Sequence, residues 1–224
     1  MPLRKSFLKI YPWLLGLPAV LLFAYATSLH GIGLSTDSVN YIRLARDIAE
    51  NGFAFLSHGN FVHWPPFYPI LLALGAKVTH SDPLLTARWL NFLIAWLTVG
   101  LVGKSAAQFT KNHATIIFVS LLASFSIPLQ FVWGYAWTEP LFILLVLAIL
   151  YLLNSSEEWS FSKTLLLSLL LSLAVMTRYI GVVLIPLAPI ALWMRKELKR
   201  KEWLSSSIVT TLIPSFLFGS ILCG

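Results

Sequence analysis

Ser35–Pro69 reads STDSVNYIRLARDIAENGFAFLSHGNFVHWPPFYP and is the longest polar interruption in an otherwise apolar chain. Within it, Val39, Ile42, Ala45 and Ala49, with Tyr41, Leu44 and Ile48, recur at helical spacing, while Asn40, Arg43, Arg46, Asp47 and Glu50 take the other face. This pattern predicts an amphipathic helix lying in a membrane interface rather than crossing it. Any of Ser35, Thr36 and Asp37 can cap its start, and Asn51-Gly52 ends it. Arg43 with Asp47 and Arg46 with Glu50 sit at the four-residue spacing that supports a helix weakly. The link Ser57-His58-Gly59-Asn60 leads to His63-Trp64-Pro65-Pro66, where tandem prolines fix a stiff turn. Phe67–Val78 is too short to span a bilayer and reads as a second interfacial or re-entrant helix.

The sequence around this stretch sets its solvent. Hydrophobic residues make up 58% of the 224 and charged residues 11%, with a mean hydropathy of +0.79. Soluble domains carry about 25% charged residues, so this chain lacks a water-facing surface. Several apolar runs approach the roughly 20 residues that cross a hydrocarbon core. The composition therefore predicts an all-α integral membrane protein. The net charge of +7 would suggest nucleic acid in a soluble protein. Here the basic residues flank apolar segments, where they set topology and attract anionic head groups. Membrane lipids, not nucleic acid, are the partners this implies. Cys223 is the single cysteine, which excludes a disulfide framework and a thiolate metal site.

In chain order, Arg4, Lys5 and Lys9 precede the apolar run Tyr11–Leu29. With Ala24-Tyr25-Ala26 this start also fits a cleaved signal peptide, but the length of the run and the spans that follow favour an uncleaved first helix. Further spans are expected over Leu84–Gly103, behind Asp82-Pro83; over Ala114–Val132; and over Pro140–Leu153, opened by Thr138-Glu139-Pro140. Thr164–Trp193 is too long for one helix and is broken at Thr177-Arg178-Tyr179-Ile180-Gly181, giving two spans with Arg178 at the hinge. Ser206–Cys223 follows the basic run Arg195–Lys201. The sum is a multi-pass bundle of about seven spans in one domain, residues 1–224. Residues 30–82 form the first extracytoplasmic loop, and the chain ends abruptly after an apolar segment, as a C-terminal truncation would. On this plan Arg4, Lys5, Lys9, Lys104, Lys111, Lys163, Arg195, Lys196, Lys199, Arg200 and Lys201 lie inside. Arg43, Arg46, Lys77, Arg88 and Arg178 lie outside, completing the 16 basic residues. That bias puts the N-terminus in the cytoplasm of a cell with a plasma (inner) membrane.

Four features in this order resemble the C-type membrane glycosyltransferases, which use polyprenyl-phosphate sugars. The bacterial relatives of protein O-mannosyltransferase and of the aminoarabinose lipid A transferase are the nearest in pattern. Asp37 opens an Asp-x-x-x-Tyr-x-x-x-Ala-Arg helix in the first outer loop; Trp64-Pro65-Pro66-Phe67-Tyr68-Pro69 follows where that family has its Pro-Pro turn. Thr138-Glu139-Pro140-Leu141 opens a span, and Thr177-Arg178 sits at an outer hinge. The resemblance implies an enzyme that moves a sugar, with inversion, from a polyprenyl phosphate to a lipid, glycan or protein acceptor at the outer face of the membrane. It makes Asp37 the catalytic acid and Arg178, Glu139, Arg88, Tyr41 and His63 the substrate-binding residues. The absence of nucleotide-binding glycine patterns agrees with a lipid-borne donor. Ser38 stands where many relatives have a second acid, so no adjacent carboxylates bridge a metal. Whether a divalent ion takes part stays open.

Each residue also has a plainer role. Asp37 can be a simple helix cap, Glu139 an acid favoured by the helix dipole, Arg178 a snorkelling hinge residue and His63 an interfacial histidine bonded to water. A transporter or lipid flippase would also hold charges near the membrane, but such proteins often show repeated halves, and this chain has no internal repeat. An inactive fragment of a glycosyltransferase is the third alternative.

Overall fold

A computed structural model describes residues 11–52, 64–156, 158–195, 198 and 200–223, with side chains to residue 219. Its centre is the helix Pro83–Phe109. Asp82 caps it by accepting the Leu84 amide at 2.8 Å, and Pro83 occupies the first turn, where a missing N–H costs nothing. At about 1.5 Å per residue it reaches roughly 40 Å, more than a bilayer core. Ala87, Asn91, Ala95, Val99 and Gly103 recur every fourth residue along its buried face, a run of small side chains that lets neighbours approach closely. Trp13 exploits this: a Cβ on Gly100 would stand 2.1 Å from its ring, and Trp96 donates its indole N–H to the Trp13 carbonyl at 2.8 Å.

Ten α-helices appear among the described residues, numbered here in chain order. They are α1 (Leu17–Ala26), α2 (Thr36–Asn51), α3 (Phe67–Thr79), α4 (Pro83–Phe109), α5 (His113–Ser124), α6 (Ile127–Trp133), α7 (Glu139–Leu153), α8 (Phe161–Thr177), α9 (Leu184–Trp193) and α10 (Arg200–Cys223). A 3-10 turn, Tyr179–Val183, joins α8 to α9. The only β pairing among the described residues is a single bridge, Gly33 to Tyr135. The all-α expectation holds. α4 packs against α1, α3, α5 and α7, and α8 against α7 and α10. Thr164 shares a 2.9 Å hydrogen bond with Ser206, and Ser168 donates to the Val209 carbonyl at 3.1 Å, so hydroxyl groups join α8 to α10.

Only α4 is by itself long and apolar enough to cross a bilayer among the described residues, or two segments if the α5–α6 pair, bent by 50°, counts as one. The helices at 11–26, 139–153, 161–177 and 179–193 are apolar but shorter. The span expected over 114–132 is bent at Phe125-Ser126, where Pro128 opens α6 and cannot continue the ladder of α5. The expected hinge at Arg178 is present: α8 stops at Thr177 and Arg178 has extended backbone angles. Large apolar side chains such as Leu21, Phe118, Leu122 and Phe216 lie exposed, as a lipid-facing surface would have them.

The polar loop folds as its pattern predicts over residues 36–51. Gly52, at φ 64°, closes α2 in a conformation that glycine adopts without strain. Tyr41, Ile42, Leu44, Ala45 and Ile48 are buried, whereas Val39 is 53% exposed and falls outside the stripe. Arg46 does not depend on Glu50 for its partner. Its Nε and Nη2 donate to the two carboxylate oxygens of Asp82 at 2.9 and 3.2 Å, clamping α2 to the start of α4. This contact spans 36 residues, beyond the reach of helical spacing. His63 and the link at 57–60 lie outside the described residues.

Candidate active site

Ser35, not Asp37, caps α2. Its hydroxyl accepts the Ser38 amide at 3.4 Å and the Ser38 hydroxyl accepts the Ser35 amide at 3.1 Å, a reciprocal capping box. Ser38, at the position where relatives have a second acid, is thereby fully buried and engaged. The Asp37 side chain is left exposed in the first turn of the helix.

A second segment, Gly134–Glu139, is brought to this cap by three devices. Gly33 donates its amide to the Gly134 carbonyl at 2.7 Å, and Ala136 donates to the Gly33 carbonyl at 3.0 Å. The approach is so close that a Cβ on Gly33 would meet the Tyr135 ring at 2.9 Å, so a side chain there would part the two strands. Trp137 donates its indole N–H to the Ser35 hydroxyl at 2.7 Å. Deep in the bundle, Asn91 of α4 donates to the carbonyls of Trp133 and Tyr135 at 2.8 and 2.9 Å, fixing the turn from which the segment leaves.

The third element is the α8 hinge. Arg178 forms an ion pair with Glu139 through Nη1, and the same nitrogen donates to the Thr138 hydroxyl at 3.2 Å. Both charged side chains keep about a third of their surface exposed (35% and 38%), so the pair stands at an opening and not in a dry core. Tyr41 lies beneath. Its hydroxyl lies near Thr138, and it feels the charges of Arg178, Asp37 and Glu139. Burial raises its pKa, the two carboxylates add to that rise, and Thr138 and Arg178 oppose it. Tyr41 stays a neutral phenol able to donate or accept a hydrogen bond.

The fold thus brings Tyr41 to the Glu139–Arg178 pair, with Asp37 one helical turn before Tyr41 on α2. Arg88 stands apart: its Nε donates to Thr27 at 3.2 Å and its guanidinium covers the Phe92 ring at 5.6 Å. Its observed partners belong to α1 and α4, not to the Tyr41 cluster. The sequence reading missed Thr138, Tyr68 and the Trp137–Ser35 link. Tyr68 is fully buried, packs edge-on to Tyr41 with ring centres 5.6 Å apart, and its hydroxyl has no hydrogen-bond partner. Burial raises its pKa too, so it also remains a neutral phenol. Its place directly after Pro65-Pro66-Phe67 was the available signal, because the proline turn aims α3 at α2. No group of three or more His, Cys, Asp or Glu suited to a metal ion occurs among the described residues. Asp37 has Ser38 beside it and Glu139 faces Arg178, so the donor set fits a paired cation better than a metal ligand sphere.

Asp37, Tyr41, Glu139 and Arg178, with Tyr68 buried against Tyr41, are the candidate site at one end of a set of apolar helices. Residues 63–218, more than two thirds of the chain, match the dolichyl-phosphate-mannose-protein mannosyltransferase family, and the chain belongs to that family of membrane glycosyltransferases. No curated protein matches the chain. Glu139, Arg178, Arg88 and Tyr68 fall inside the matched residues; Asp37 and Tyr41 precede them.

Proposed function

We propose that this protein transfers a sugar from a polyprenyl-phosphate donor to a lipid, glycan or protein acceptor at the outer face of the plasma membrane, with inversion at the anomeric carbon. The observation that carries the reading is that Asp37, not used as the helix cap, precedes by one turn a Tyr41 that feels both its charge and those of the Arg178–Glu139 pair. A lipid-linked sugar phosphate already has a good leaving group, so the acceptor is what needs activation. Asp37 takes the proton of the acceptor hydroxyl as its oxygen attacks the anomeric carbon. The bond from that carbon to the phosphate oxygen breaks, and its electron pair leaves with the lipid phosphate. Arg178 stabilises that developing charge. Glu139 and Thr138 both engage its Nη1, and a guanidinium carries five donors. Glu139 holds the guanidinium in place and orients sugar hydroxyls, and Tyr41, backed by the buried Tyr68 ring, offers a neutral hydroxyl to the same ligand.

The topology that serves this reaction is a single domain of about seven spans with the N-terminus in the cytoplasm and residues 30–82 outside. The Arg178–Glu139 pair and the Arg46–Asp82 clamp lie at one end of the helices, and Lys104, Lys111, Lys163 and Arg195 lie toward the other. That distribution supports an outer site under the positive-inside rule. His63 and Arg88 remain as proposed contacts for the donor phosphate or its lipid, His63 from the loop beside Trp64. The test is to supply membranes containing the protein with labelled polyprenyl-phosphate mannose, polyprenyl-phosphate pentose or a nucleotide sugar. Label should move to an acceptor from a lipid-borne donor, and the product anomer should be opposite to that of the donor. Transfer from the nucleotide sugar alone, or a retained anomer, would refute the mechanism.

A further inference from the structure

The end of the bundle opposite the Arg178–Glu139 pair holds Arg195 and Arg200, described residues of the strongest basic run of the sequence, which the transfer reaction leaves unused. Two cavities meet there. One, of about 440 Å³, is lined by Leu192, Trp193, Arg195, Leu198, Arg200 and Trp203. The other, of about 560 Å³, is a groove between α4, α7 and α9, walled mainly by aliphatic side chains including Leu147, Leu150, Leu153, Ala191 and Met194. Arg195 borders both.

Arg195 is held firmly at that junction. Its Nη1 and Nη2 donate to the carbonyls of Leu153 and Ser155 at 2.9 and 2.8 Å, and its guanidinium covers the Trp159 ring at 5.1 Å. It thereby closes the C-terminal end of α7 while lining both cavities. Arg200, in the first turn of α10, is exposed and lines the first cavity. Along the groove, Ser105 Oγ and Gln108 Oε1 are buried polar atoms with no hydrogen-bond partner. The amide nitrogen of Gln108 is already used on the Tyr151 carbonyl at 3.1 Å. An unpaired buried donor or acceptor is costly, and this groove has a hydroxyl donor and a carbonyl acceptor with nothing to bond.

We propose that this end binds one phosphate-bearing lipid, a membrane phospholipid with an anionic head group. Its phosphate sits against Arg200 and Arg195 and one acyl chain lies in the α4–α7–α9 groove. Charge complementarity calls for an anion at the basic cavity, and the aliphatic walls of the adjoining groove call for a chain attached to it. Ser105 then donates to an ester carbonyl and Gln108 accepts from a head-group hydroxyl. A free phosphate would satisfy the cations and leave the groove unexplained. A polyprenyl phosphate shares the same chemistry and is separated from a phospholipid by experiment. This site is independent of the transfer reaction and stands at the other end of the molecule from it.

The test is native mass spectrometry of the full chain in a zwitterionic detergent, titrated with phosphatidylglycerol, phosphatidylcholine, a polyprenyl monophosphate or inorganic phosphate. Phosphatidylglycerol should be retained over phosphatidylcholine. Arg200→Gln should weaken that retention by about five-fold, the usual share of one basic side chain at an anionic head group. Leu150→Trp, which fills the groove from α7, should weaken it as well, while Arg43→Gln at the opposite end should change nothing. Retention of polyprenyl phosphate in preference to phosphatidylglycerol, weakened by Arg200→Gln and Leu150→Trp but not by Arg178→Gln, would overturn the phospholipid assignment. Equal retention of the two phospholipids, an Arg200→Gln protein that holds phosphatidylglycerol as the parent does, or displacement of the lipid by inorganic phosphate would overturn the site.

Discussion

Asn91→Ala isolates the contact that holds the candidate site to the bundle. Asn91 is wholly buried in the middle of the longest helix, and its amide nitrogen donates at 2.8 and 2.9 Å to two carbonyls of the turn preceding Trp137. Polar contacts between helices in a membrane contribute about 0.6 kcal/mol on average and up to about 1.7, because the unfolded state in lipid also finds partners. Two such bonds give a loss of about 1–3 kcal/mol. A chain of this length shifts its midpoint by about 2–4 °C per kcal/mol, so Asn91→Ala should melt roughly 2–12 °C below the parent. Asn91→Asp should be worse, because a carboxylate that only accepts would face two carbonyls. The assay is thermal unfolding of the full chain in detergent, followed by intrinsic tryptophan fluorescence. Trp133 and Trp137 flank the turn, so their emission should change at a lower temperature than the helical circular dichroism. An Asn91→Ala midpoint within about 1 °C of the parent, with Asn91→Asp no worse, would refute the reasoning.

Arg178→Gln should reduce kcat by about 10²–10³, the usual effect of removing one preorganised charge-stabilising donor, and Arg178→Lys should recover little because a single ammonium cannot reproduce the fork; transfer rates at saturating donor decide this. Gly33→Val should abolish transfer while the protein still inserts in membranes, since its side chain would displace Tyr135 and with it the segment carrying Glu139; protease accessibility of the loop is the companion measurement. The pH dependence of stability follows from the Arg46–Asp82 clamp. Arg46 and the Leu84 amide hold the Asp82 pKa below its ordinary value, against a smaller effect of burial. A carboxylate with a depressed folded pKa contributes stability above its unfolded value of about 4 and loses it as pH falls through the folded value. Asp82→Asn should therefore melt below the parent at pH 6, and the gap should close toward pH 3; a gap that persists there contradicts the assignment.

The amphipathic loop helix was legible because its pattern is local: a capping residue, a 3.6-residue period and a closing Asn-Gly. The break at Arg178 was legible for a related reason, since one charge inside a long apolar run has few places to go. What periodicity cannot carry is pairing between distant residues. Arg46 has both Glu50 and Asp82 within its choice, and only the fold selects the one 36 positions away. Asp37 and Ser35 are equivalent as caps on paper, and Trp137, some hundred residues later, helps select Ser35 by donating to its hydroxyl. The kink at Phe125-Ser126 was readable from Pro128, but the apolar run around it masked the signal. Arg88 shows the same limit: its context in the sequence is that of a site cation, and its contacts with Thr27 and Phe92 arise only in the fold.

Because Ser35 makes the helix cap, removing the Asp37 charge should affect chemistry and leave the fold intact. The deciding measurement is therefore paired: the melting midpoint and the sugar-transfer rate of Asp37→Asn, taken on the same preparation of membranes. The expected result is a midpoint equal to that of the parent with transfer from labelled polyprenyl-phosphate sugar lost by about 10²-fold or more, the scale of a missing general base. An unchanged rate, or a rate that falls only in step with a lowered midpoint, would contradict the assignment of Asp37 as the base.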